Sequence, residues 1–260
     1  NVIGINTAIF SPSGGSVGIG FAIPSSTARP VVEQLIKNGR VSRGWLGVHI
    51  QGVTAEIAET LGLDKARGAL VANVVKGGPA AKAKIKPGDV ILSFNGKNVP
   101  EMRKLPRMVA ETPVDKTVDM VVWRDNKKMT IKVTLGKLKE EKSQAAANTS
   151  EGATTATAEV KIKGLGLTLA VVSADLKSRF KLQGSVKGVV VTKVKDGSVA
   201  AEKGIRPGDV IVEVSQEQVS TPAQVAAKVA TAKDGGRKSV LMLIEGQGGL
   251  RFVAVRVNKS

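Results

Sequence analysis

The chain has 260 residues with 42% apolar content, enough for roughly one to three packed domains. No apolar run is long enough to span a bilayer, and the absence of cysteine excludes disulfides and thiolate metal sites. The net charge of +17 invites a nucleic-acid reading, but aromatics are 3% of the chain, tyrosine is absent and the charge is spread along the sequence, so no specific nucleic acid is expected. An anionic membrane surface is the other partner that such a charge could serve.

The first elements are two apolar stretches, Val2–Phe10 and Val17–Ile23, joined by a turn through Ser13-Gly14-Gly15. A serine before two glycines resembles a protease nucleophile, yet a serine needs an adjacent base. The single histidine, His49, follows it in a different module, so the turn reading wins. Ser25 and Ser26 then read as the cap of an amphipathic helix with Val31, Val32, Leu35 and Ile36, stopped near Asn38-Gly39. The opening in mid-strand, with no basic-then-apolar leader, is expected of a fragment.

The strongest internal signal is a repeat. The stretch from Gly68 aligns without a gap with the stretch from Gly188; Ala80-Ala81 meets Ala200-Ala201, and Pro87-Gly88-Asp89-Val90-Ile91 meets Pro207-Gly208-Asp209-Val210-Ile211. Each copy predicts the same order of elements. A strand (Leu46–Val53; Leu165–Val172) leads to a short helix. A second strand follows (Ala69–Val75; Val189–Val194), then an Ala-rich helix and a turn into a third strand (Val90–Phe94; Val210–Val214). A longer helix comes next, about Leu105–Glu111 or Pro222–Ala232. Pro106 suits its first turn. Two last strands close each copy, Thr117–Trp123 with Met129–Leu135 and Ser239–Ile244 with Arg251–Val257, turning at Asp125-Asn126 and Gln247-Gly248-Gly249. The Ala-, Thr- and Ser-rich stretch from Lys137 to Glu159 reads as a linker.

The apolar–Gly–apolar loops before the first strands, Arg43-Gly44-Trp45-Leu46-Gly47-Val48-His49-Ile50 and Lys163-Gly164-Leu165-Gly166-Leu167-Thr168-Leu169, sit in the same modules as the Pro-Gly-Asp-Val-Ile turns. Together these resemble PDZ domains of the bacterial, permuted kind. At such a loop, successive N–H groups form a nest for a peptide carboxylate, and the peptide adds as a strand to the sheet edge. The resemblance implies a first site of Arg43, Gly44, Trp45, Leu46, Gly47, Val48, His49, Ile50 and Val109, and a second of Lys163, Gly164, Leu165, Gly166, Leu167, Leu169 and Val229. Leu46, Val48 and Ile50 would wall the first pocket and Val109 would close it from the helix, while Arg43 and Lys163 would assist the carboxylate. Asp89 and Asp209 read as structural, bonding local N–H groups. His49, with no second ligand, holds no metal, and no cofactor is expected.

With these modules in place, the opening INTAIFSPSGGSVGIGFAIP resembles the last strand pair of the chymotrypsin-like domain in the HtrA (peptidase Do) family of serine proteases. That resemblance implies a mainly β fold with short helices (α+β). Its parts are a protease remnant at residues 1–24, a linker helix at 25–42, PDZ domains at 43–137 and 159–260, and a flexible linker at 138–158. It implies that Ile9 and Ile19 belong to the protease substrate pocket and that the catalytic triad lies outside this chain, which is then inactive alone. It further implies a periplasmic endoprotease and chaperone for misfolded envelope proteins, whose first PDZ domain binds unfolded polypeptides or their C-termini. The second would support a trimer-based homo-oligomer. The alternative reading is a non-catalytic PDZ scaffold.

Overall fold

The computed structural model describes residues 1–12, 14–137, 159–162, 164–182 and 186–257. Ser13 and most of the expected linker lie outside the described residues. Among the described residues, no helix is long and apolar enough to cross a membrane.

Strands β1 (Gly4–Ile9) and β2 (Gly20–Pro24) form an antiparallel hairpin with a bulge between Asn6 and Ala8. Helix α1 (Ser25–Asn38) follows without a loop. It ends where Gly39 turns left-handed (φ 64°) and its N–H returns to the Leu35 carbonyl at 2.9 Å. The expected serine cap is absent: Pro24 is the N-cap residue and no side chain bonds the first turn. Ile3, Phe10, Phe21, Leu35 and Ile36 are all exposed, so this unit shows an apolar surface that no other described residue covers.

The first repeat contains β3 (Gly44–Trp45), β4 (Val48–Gly52), α2 (Ala55–Thr60), β5 (Ala69–Val74), α3 (Pro79–Lys82), β6 (Val90–Phe94), β7 (Lys97–Asn98), α4 (Lys104–Ala110), β8 (Thr117–Arg124), β9 (Lys127–Thr134) and β10 (Gly136–Lys137). Its sheet runs β4-β5-β6-β8-β9, with β7 paired to β6, while β3 pairs separately with β10. The strand expected over Leu46–Val53 starts only at Val48, as β4; Leu46 and Gly47 lie between it and β3, and the two strands pair with different partners. Asp125 and Asn126 both take positive φ (49° and 59°), the geometry of a two-residue hairpin turn, as their residue types demand. Leu105, Met120, Val122 and Leu135 are among the residues that fill the core.

The second repeat contains β11 (Val160–Ile162), β12 (Leu167–Val171), α5 (Ala174–Phe180), β13 (Val189–Val194), α6 (Val199–Glu202), β14 (Val210–Val214), β15 (Glu217–Gln218), α7 (Pro222–Asp234), β16 (Ser239–Gly246) and β17 (Gly249–Arg256). Its sheet runs β11-β12-β13-β14-β16-β17 with β15 on β14. A capping box between Thr221 and Gln224 starts α7, and Pro222 stands in its first turn. The shared glycines of the repeat have one role. A Cβ on Gly68 (φ 88°) would lie 2.7 Å from the Ile91 carbonyl oxygen, and one on Gly188 (φ 144°) would lie 2.4 Å from that of Ile211.

The two modules pack against each other. Leu70, Val90 and Leu92 of the first share a buried cluster with Leu241, Leu243, Phe252 and Ala254 of the second. Glu56 of α2 pairs with Lys203 at 2.8 Å, and with Arg256 at 3.7 Å. The repeat predicts two tandem modules, and the outer face of the β16–β17 hairpin joins them.

Candidate peptide-binding grooves

In the first module the chain enters through β3, which is jammed against the end of α4. A Cβ on Gly44 would lie 2.4 Å from the Val109 carbonyl oxygen and 2.6 Å from that of Thr112. Only glycine fits there. Gly47 then takes φ 77°, with the Trp45 ring packed against it. The carbonyls of Leu46 and Gly47 accept from the Ala80 and Val75 N–H groups at 2.9 Å each, which fixes the loop. The N–H groups of Leu46 and Gly47 have no backbone acceptor among the described residues. Beyond the loop, β4 pairs with β5 alone and its other edge carries no strand among the described residues.

The side chains divide. Leu46 and Val109 are buried and belong to the core, so they form the floor rather than an open wall. Val48, Ile50 and Met108 are half-buried and pack against the same core, available to a ligand from above. Trp45 is half-buried, while Arg43 and His49 are exposed. The structure thus brings together an open edge, two unpaired amides, a half-buried apolar strip and an exposed cation. Such a constellation can bind an extended peptide by strand addition and hold a carboxylate at its end. The chain's sole histidine, His49, stands exposed on β4. Among the described residues, no cluster of histidines or carboxylates fits a metal ion.

The second loop is built alike. The Gly166 carbonyl accepts from Lys195 N–H at 2.8 Å, as that of Gly47 does from Val75. Gly166 takes φ 71°, and a Cβ there would meet Ser198 at 2.4 Å. Leu165, Leu167, Leu169 and Val229 are all buried. Lys163 lies outside the described residues and Gly164 is exposed. The edge of β12 differs from that of β4: it is paired with β11, a strand not expected from the sequence.

Both Pro-Gly-Asp aspartates do serve structure. Asp89 accepts the Lys86 N–H at 2.8 Å and Asp209 the Arg206 N–H at 3.1 Å, and each also holds an arginine. In the opening unit, Ile9 pairs with Gly20 and lies at the same end of the hairpin as Ile19; both are exposed.

Two family models, each described as a PDZ domain, match residues 44–135 and 190–244. The chain is 47% identical over 261 residues to a protein of Brucella suis biovar 1 (strain 1330) named "Probable periplasmic serine endoprotease DegP-like", covering 100% of the chain and 48% of that protein. It is 39% identical over 256 residues to a protein of the same name from Marinomonas sp. (strain MWYL1), covering 98% of the chain and 51% of that protein. The chain spans about half the length of these relatives. Among solved structures, an HtrA-type protease, AlgW, with a decapeptide is 44% identical, covering 54% of this chain and 43% of its own, with a TM-score of 0.47.

Proposed function

Because the chain belongs to the HtrA (peptidase Do) family of serine proteases and carries two PDZ domains, we propose that it is the substrate-binding and assembly portion of a periplasmic endoprotease and chaperone. Its first groove takes hydrophobic C-termini or extended segments of misfolded envelope proteins. The second PDZ domain supports a trimer-based homo-oligomer. Cleavage belongs to a serine protease domain that β1 and β2 complete, with Ile9 and Ile19 in the pocket for the residue before the cut bond. The exposed apolar side chains of β1, β2 and α1 favour this reading over a free scaffold, since such a surface needs a cover.

The observation that carries the peptide-binding role is the open edge of β4 beside the unpaired Leu46 and Gly47 amides. A peptide of alternating aliphatic residues with a free carboxylate should perturb Trp45 emission, with Kd on the order of micromolar, about −8 kcal/mol. The same peptide with an amidated end should bind more weakly. Equal binding of the two would remove the carboxylate from the reading. Absence of binding by either would leave the first module as an assembly domain.

A further inference from the structure

The two amides that are unpaired in the first module are paired in the second. The Ile162 carbonyl oxygen accepts from the Leu165 N–H at 3.1 Å and from the Gly166 N–H at 3.0 Å. Leu165 and Gly166 hold the places that Leu46 and Gly47 hold in the first loop. The strand that ends in Ile162 is β11, which lies antiparallel on the edge of β12 opposite β13. Val160 faces Leu169 and Ile162 faces Leu167 across the pair. The Ile162 side chain is buried in a cluster with Leu165, Leu167, Val225 and Val229; Val160 packs against the same cluster, while Lys161 between them is exposed. Helix α7 packs on both β11 and β12.

A peptide in such a groove needs three things: a free strand edge, a pocket for an aliphatic side chain, and donors for its terminal oxygen. β11 uses all three, and it runs toward the loop as a bound peptide would. We propose that the second groove is a binding site for an extended segment with aliphatic residues at alternate positions, and that Val160–Ile162 is its resident ligand in cis. A main-chain carbonyl stands where a carboxylate would, so the site accepts an internal segment. A free C-terminus must first displace β11. Because Ile162 stands only three residues before Leu165 in the same chain, the effective concentration of β11 is on the order of millimolar or higher. A free peptide of micromolar affinity for the open groove is then weakened by roughly 100-fold or more.

The test uses the isotope-labelled full chain and, as probe, a peptide ending in Val-Lys-Ile with a free carboxylate. In the wild type, the Leu165 and Gly166 amides should exchange slowly with deuterated solvent, and the resonances of Leu167–Val171 should not move as the probe is added. Ile162→Asp places a carboxylate in the apolar pocket and should release β11. In that variant the probe should shift Leu165–Val171, with affinity raised about 100-fold. Fast exchange at Leu165 and Gly166 in the wild type would overturn the proposal. So would probe-induced shifts at Leu167–Val171 as large in the wild type as in the variant. The exchange measurement needs no variant, so it decides the matter even if Ile162→Asp unfolds the module. It is also independent of whether the first groove binds peptide.

Discussion

Gln51, the penultimate residue of β4, forms a two-bonded pair with the backbone of Phe252 in the other module. Its Nε2 donates to the Phe252 carbonyl at 3.0 Å and its Oε1 accepts from the Phe252 N–H at 2.7 Å. A primary amide presents a donor and an acceptor side by side, as a backbone peptide does. Gln51 thereby couples the strand that would hold a peptide to the β16–β17 hairpin of the second module. Replacing it with Ala leaves the Phe252 N–H without its partner at a half-buried site and should weaken docking by about 1–3 kcal/mol. Relaxation measurements on the intact chain should then show the two modules tumbling more independently. An unchanged tumbling time would mean that the apolar cluster alone holds them.

The docking should also depend on pH. The hydrogen bond and charge of Lys203 hold the Glu56 carboxyl below its ordinary range, with smaller help from Thr54 and Arg256. A lowered folded pKa gives stability that is complete above the unfolded value and is lost as pH falls through the folded one. The modules should therefore separate on acidification below the ordinary glutamate range, while each keeps its sheet signal. The variant Glu56→Gln should dock less well at neutral pH and show a flatter response. An identical acid response in wild type and variant would assign the effect elsewhere. Salt should weaken the contact too, since Glu56 and Lys203 are both partly open to solvent.

The Asp89 carboxylate is 1% exposed and grips Arg124 by two bonds of 2.6 Å, and Arg124 in turn donates to the Lys84 carbonyl at 2.9 Å. Asp89→Ala would strand a largely buried guanidinium, at a cost of about 3–5 kcal/mol. The matching Asp209 holds Arg251 by one bond of 3.0 Å, and that arginine is 43% exposed. Asp209→Ala should therefore cost less. Thermal melts of the two variants should show the larger drop for Asp89→Ala; the reverse order would mean that the partner's exposure does not set the penalty.

These contacts show how far the sequence could be read. The Pro-Gly-Asp repeat identified two aspartates with one local role, and the N–H bonds to Lys86 and Arg206 are that role. Their arginines could not be matched by the repeat, because Arg124 ends β8 whereas Arg251 lies in β17, on the opposite arm of the hairpin. The docking left a trace: Val240-Leu241-Met242-Leu243-Ile244 is apolar throughout, where β8 of the first module alternates and exposes Asp119. A strand buried on both faces reads as a continuous apolar run. The run indicates a cover on the second face without naming it. β11 was invisible for another reason. Three residues carry too little period to be assigned as a strand, and its partner is the groove strand β12 of its own module.

Catalytic silence is expected of the chain by itself. A serine protease needs a base beside the nucleophile, and the chain's sole histidine is exposed on β4. Incubation with unfolded casein should give no cleavage, and a fluorophosphonate should label neither Ser11, Ser13 nor Ser16. Labelling at any of these would overturn the assignment of β1 and β2 to a protease domain.

The last prediction separates the two parts of the first groove's recognition. Arg43 is exposed, so Arg43→Ala should weaken a free-acid peptide by about 1 kcal/mol or less, a few-fold in Kd, and should leave an amidated peptide unaffected. Gly47 is different in kind. Its backbone is left-handed (φ 77°) at the loop that carries the two unpaired amides, and a Cβ there would press on the Trp45 ring at 3.3 Å. Gly47→Ala carries about 1–2 kcal/mol of backbone strain, and relief of that strain turns the amides away. It should weaken free-acid and amidated peptides alike, because in the proposed mode strand addition would start at this loop. Titrations followed by Trp45 emission, with a melting curve for each variant, make the comparison. Equal losses of affinity for the two variants would show that charge, not loop geometry, holds the peptide. Retention of full affinity by a folded Gly47→Ala protein would move the binding site away from the nest.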